Sequence, residues 1–73
     1  MSAERAATLS DLERLILGLF ADGENTKSVA EKLEFKPAQV NEKLRIIYRK
    51  LNVHSITQAV FLVERAGLFK GIV

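Results

Sequence analysis

Apolar residues in this chain recur at the spacing of a helix face, and no useful stretch alternates as a half-buried strand would. Leu12, Ile16, Leu19 and Phe20 stand at i, i+4, i+7 and i+8, which places them on one side of a helix. Ser10-Asp11-Leu12-Glu13 opens that helix as a capping box. In such a box the Ser10 hydroxyl accepts from the backbone N–H of Glu13, and the Glu13 carboxylate accepts from that of Ser10. Gly23 ends the helix, because glycine takes left-handed angles without a Cβ penalty. A shorter helix is predicted from about Thr26 to Glu34, capped by Asn25 or Thr26, with Val29, Ala30 and Leu33 inward. Pro37 suits the first position of a third helix, where a missing N–H costs nothing. From Pro37 to Leu51 the inner stripe is Val40, Leu44, Ile47 and Leu51, with Tyr48 at its edge, and Asn52 is a fitting left-handed stop. A second box, Ser55-Ile56-Thr57-Gln58, opens a fourth helix with Ile56, Ala59, Val60 and Val63 inward and Gly67 at its end. The expected fold class is all-α, one four-helix domain.

Its size and composition exclude most chemistry. Seventy-three residues leave room for one domain. Without Cys there is no disulfide, no thiolate metal site and no thiol nucleophile. A single His, His54, cannot build a His-based zinc site, and it is read as a loop residue. Glu13 is read as a cap with no second carboxylate to share acid–base work. No Gly-rich phosphate loop or nucleophile–base pair occurs. No apolar run approaches the roughly 20 residues that span a bilayer, and the N-terminus lacks the basic and apolar regions of a signal peptide. The expectation is a cytoplasmic protein that is not an enzyme and uses no cofactor.

Charge is segregated along the chain. Residues 1–35 carry four cations against seven carboxylates, a balance of −3. Residues 36–50 carry Lys36, Lys43, Arg45, Arg49 and Lys50 against Glu42 alone, a balance of +4. A net charge of only +2 hides this division. A cationic stretch of this kind is what docking onto a polyanion requires. Two helices separated by a short break, the second one basic, suggest a helix-turn-helix.

The residues around that break carry a more specific signal. Leu9-Ser10 with Glu13, then Leu17, Ala21 and Gly23, resemble the opening of the LuxR/GerE-type helix-turn-helix domain. Lys27, Val29-Ala30-Glu31 and Leu33 look like its scaffold helix. Val40, Ile47-Tyr48-Arg49-Lys50-Leu51, Val53, Ser55 and Gln58-Ala59-Val60 look like its recognition and closing helices. The resemblance runs over residues 9–69, with 1–8 and 70–73 as tails. It implies a stand-alone GerE-like regulator, or a fragment of a longer LuxR- or NarL-type one. Several positions depart from the family pattern. Glu34 stands where the turn usually has Gly, and Lys36 replaces a Ser or Thr cap. Asn41 stands where Lys is common and Lys43 where His is common, and Glu42 and Ile46 are unusual on that face.

On a helical wheel, Ala38, Glu42, Arg45, Ile46 and Arg49 lie opposite the inner stripe of the third helix. Such a helix fits the major groove, where Arg45 would grip guanine O6 and N7, and Asn41 adenine N6 and N7. Glu42 is repelled there unless it accepts from a cytosine amino group. The candidate base contacts are therefore Asn41, Glu42 and Arg45. Gln39, Lys43, Arg49 and Lys50 are the candidate contacts to DNA phosphates, joined by Thr26 and Lys27 at a helix N-terminus.

Phe61 and Leu62 lie about 100° and 200° from Val60, too far apart for one stripe to bury both. A domain this small gains by covering them, so Phe61, Leu62 and Arg65 are expected to form a homodimer interface through the fourth helix. Packing of Phe61 under Phe69 and the C-terminal tail is the alternative that leaves a monomer. Sequence-specific binding of double-stranded DNA by a transcription regulator is the leading reading. The second is a helix-turn-helix used as a protein-interaction module, binding another transcription protein, supported by Glu42, Ile46 and the acidic N-terminal half.

Overall fold

A computed structural model of the protein describes residues 8–65. Four helices occupy them: α1 (Asp11–Ala21), α2 (Thr26–Leu33), α3 (Pro37–Leu51) and α4 (Ile56–Arg65). Each start is set by local chemistry. At α1 both halves of the Ser10 box are made, Glu13 N–H donating to Ser10 Oγ at 3.1 Å and Ser10 N–H to Glu13 Oε1 at 2.8 Å. Asn25 rather than Thr26 caps α2. Its Oδ1 accepts from Ser28 N–H at 2.9 Å, while Ser28 Oγ accepts from Asn25 N–H at 2.9 Å. At α3 Lys36 has no side-chain acceptor to offer, so only the return bond forms, Lys36 N–H to Gln39 Oε1 at 2.8 Å. The box predicted at Ser55 is altered in one bond. Gln58 N–H donates to Ser55 Oγ at 3.2 Å, but Gln58 Oε1 takes the N–H of His54 instead of Ser55.

Three helix ends close in the same way. Glu24, Phe35 and Val53 N–H donate to the carbonyls of Leu19, Ala30 and Tyr48, the six-to-one bond of a Schellman motif. That motif needs a left-handed residue at its centre, supplied by Gly23 (φ 94°), Glu34 (φ 58°) and Asn52 (φ 57°). Glycine takes this region freely and asparagine readily, whereas glutamate is strained there by about 1 kcal/mol. The strained position turns the chain from α2 into α3 over only three residues, Glu34–Lys36. Phe35, next to it, packs on the core and holds the turn down.

All four predicted inner residues of α3, Val40, Leu44, Ile47 and Leu51, are buried. They meet Val29 and Ala30 of α2, and Ala59 and Val63 of α4, in a core completed by Leu9, Ile16 and Leu17. On α1 the fully buried positions are Ile16 and Leu17, while Leu12, Leu19 and Phe20 are only half-buried. Ile56 and Val60 of α4 are likewise half-buried. The stripe of each helix thus faces one shared centre, and α3 turns its other side to solvent.

Candidate nucleic-acid interface

The outward side of α3 follows from its inward one. Val40, Leu44, Ile47 and Leu51 are spaced 4, 3 and 4 apart, and so are Ala38, Glu42, Arg45 and Arg49, two positions out of phase. A two-residue offset is about 200° on a helix, so burying the first set exposes the second. Ala38, Glu42, Arg45 and Arg49 are all exposed, with Asn41, Gln39 and Lys36 beside them, and Lys43 and Ile46 half-buried at the margins. The two sequence-nominated base contacts on either side of one turn are joined: Arg45 Nη1 lies 3.5 Å from a Glu42 carboxylate oxygen. Both side chains remain open to solvent, at 75% and 65% exposure. Glu42 therefore faces a cation of its own helix before it faces any phosphate.

The nominated phosphate contacts divide into three groups. Lys27, Arg49 and Lys43 form no ion pair with any described residue, and Lys27 and Arg49 are exposed. Thr26 is half-buried at the N-terminus of α2, whose first N–H groups are partly taken by the Asn25–Ser28 box. Gln39 commits its carbonyl oxygen to the α3 cap and keeps its amide donors outward.

Lys50 stands apart. Its ammonium lies 2.7 Å from Glu13 Oε1, joining α3 to α1 beneath the surface. Glu13 is 5% exposed, the one charged residue among the buried ones described. Burial pushes its carboxyl pKa up, but the Lys50 ammonium and the Ser10 backbone and hydroxyl groups outweigh that and hold it below the ordinary 4.5. The cap read from sequence is thus also half of an ion pair, and Lys50 is a structural cation first. A lysine in the last turn of a cationic helix gives no sequence signal for this. The only hint was a cap carboxylate with a free lone pair.

Other side chains near the face do quieter work. Tyr48 is half-buried against the core, and desolvation raises its hydroxyl pKa, so its ring supports α3. His54 is an exposed loop residue. On α4, Leu62 packs partly on the core while Phe61 stays 54% exposed. Arg65 sits over the Phe61 ring, its guanidinium carbon 5.5 Å from the centroid. Phe20, Ile56, Val60 and Phe61 line an open groove there, with Glu24, Thr57 and Glu64 on its walls. Phe69, the alternative cover for Phe61, lies outside the described residues. No helix among the described residues is long and apolar enough to cross a membrane, and they contain no cluster of three or more potential metal ligands.

Comparison with known proteins identifies the family. Residues 7–63 match the family described as bacterial regulatory proteins, luxR family (GerE). The transcriptional regulatory protein DesR of Bacillus subtilis (strain 168) is 37% identical over 65 residues, which are 89% of this chain and 33% of DesR. The chain thus spans about a third of the length of that relative. No solved structure matches.

Proposed function

The chain belongs to the luxR family of bacterial regulatory proteins, and from that premise we propose that it binds double-stranded DNA sequence-specifically as the DNA-reading part of a transcription regulator. In this reading α3 lies in the major groove. Asn41, Glu42 and Arg45 face base edges, while Lys27, Lys43 and Arg49, with Thr26 and Gln39, meet phosphates. The observation that carries the reading is the split of α3 into a buried apolar stripe and an exposed face bearing Lys36, Arg45 and Arg49. Lys50 is left out of the phosphate set because its ammonium is held by Glu13. Work on the face is then binding, with no bond made or broken and no cofactor.

The protein acts as a homodimer through α4, with Phe61 and Arg65 at the contact. Support for this comes from the exposed Phe61 ring, which lines an open groove between α1 and α4 that contains no α3 residue. Two copies related by a two-fold axis would present two α3 helices about one turn of DNA apart, so the operator would be an inverted repeat. Selection of bound sequences from a random duplex library at physiological salt tests the proposal. The expected result is an inverted-repeat consensus whose affinity falls steeply with salt. A protein that enriches no sequence, and binds a protein partner without strong salt dependence, is instead an interaction module.

A further inference from the structure

Glu42 is the only carboxylate in the cationic stretch 36–50, and it sits in the middle of the face that would enter the groove. An isolated carboxylate there would repel phosphate and weaken every encounter with DNA. It is not isolated, because the Arg45 guanidinium lies 3.5 Å away, one turn further along the same face. An exposed pair of this kind adds little to folding. Its consequence is electrostatic: seen from a distance the two groups cancel, so Arg45 contributes a dipole, not a charge, to the attraction of a phosphate chain. Non-specific attraction is left to Lys27, Lys36, Lys43 and Arg49.

We propose that Glu42 and Arg45 form a single specificity element, a side-chain pair whose guanidinium reads a guanine and whose carboxylate reads the amino group of a cytosine in the same or the adjoining base pair. The inference rests on the DNA-binding reading above and names the part of the face that discriminates. Arginine offers two parallel donors to guanine O6 and N7, and cytosine offers its N4 hydrogen to an acceptor in the same groove. Because the two groups lie 3.5 Å apart on adjoining turns of one face, both can reach the same or adjoining base pairs. Elsewhere, the carboxylate meets an acceptor edge or a phosphate and is repelled, and Arg45 is partly occupied by its neighbour. Discrimination then arises from the repulsive partner as much as from the attractive one.

The test uses the whole chain, fluorescence anisotropy, a duplex selected as above, the same duplex with its G·C pairs replaced one at a time, and a random duplex. Parent, Glu42→Gln, Arg45→Ala and the double variant are compared, with helicity by circular dichroism confirming that these exposed substitutions leave the fold intact. On the random duplex, Glu42→Gln should bind more tightly and steepen the slope of log affinity against log salt by about 0.9, and Arg45→Ala should bind more weakly, because it leaves the Glu42 carboxylate unpaired on the face. On the selected duplex each single variant should lower the ratio of selected to random affinity about tenfold. The double variant should be no worse than either single one, as coupled residues behave. The inference is overturned if Glu42→Gln leaves that ratio unchanged or if the two losses add. Those outcomes leave DNA binding standing. A parent that binds no duplex at all removes both.

Discussion

Removing the carboxylate of Glu13 tests how α1 is tied to α3. In Glu13→Ala two bonds disappear together, the 2.8 Å bond from Ser10 N–H and the 2.7 Å bond from Lys50 Nζ. Loss of one side of a capping box costs roughly 1 kcal/mol. A buried ion pair that loses one partner costs about 3–5 kcal/mol, but Lys50 keeps 35% of its side chain in water and can re-solvate. Discounting for that leaves about 1–2 kcal/mol for the pair, and about 2–3 kcal/mol for Glu13→Ala in total. Glu13→Gln keeps an acceptor for Ser10 and loses only the charge, so it should cost about 1–2 kcal/mol. For a domain of this size, with total stability of roughly 4–11 kcal/mol, Glu13→Ala should lower Tm by about 10–20 °C. Lys50→Met leaves a buried carboxylate with a smaller set of donors, and its effect should not add to that of Glu13→Gln. The pH dependence has a definite sign. The folded-state pKa of Glu13 is held below 4.5, so its stabilisation is complete above the unfolded value and is lost as pH falls through the folded one. Urea unfolding between pH 7 and pH 3 should therefore show an acid loss of stability that is smaller in Glu13→Gln. Equal small costs for Ala and Gln, under about 0.5 kcal/mol, with additive Lys50→Met, would refute the reasoning.

Glu34→Gly should stabilise the domain by about 0.5–1 kcal/mol in chemical denaturation, because φ 58° is strained for glutamate and free for glycine; a destabilised variant would mean that the Glu34 side chain contributes to the turn. Arg49→Ala should weaken selected and random duplexes alike and flatten the salt slope by about 0.9, whereas Lys50→Met, measured well below its Tm, should leave the slope unchanged. Phe61→Glu should abolish self-association in sedimentation equilibrium without lowering Tm appreciably, since the ring is 54% exposed; Leu62→Glu is the poorer probe because Leu62 packs on the core. A parent that stays monomeric at high concentration, with and without DNA, excludes the dimer.

Features that depend on residues within one turn of each other were legible in the amino-acid order alone. The Ser10–Glu13 box, a cap for α2 at Asn25 or Thr26, Pro37 at the start of α3 and the left-handed stops at Gly23 and Asn52 all depend on neighbouring residues. The inner stripe of α3 was legible for the same reason, since a helical period fixes which side chains share a face. Its phase also exposes Glu42 and Arg45 together, though their contact was read only from the structure. The tertiary structure decided what periodicity leaves free. It chose Leu17 over Leu12 and Phe20 as a fully buried residue of α1, and it seated Leu62 while leaving Phe61 in solvent. It also brought Lys50 to Glu13 across 37 positions of sequence. A lysine carries its charge at the end of a flexible four-carbon stem, so its place on a wheel does not say whether the ammonium reaches outward to phosphate or folds back to a carboxylate on another helix. That choice depends on how α1 docks beside α3, a long-range distance that no local pattern encodes.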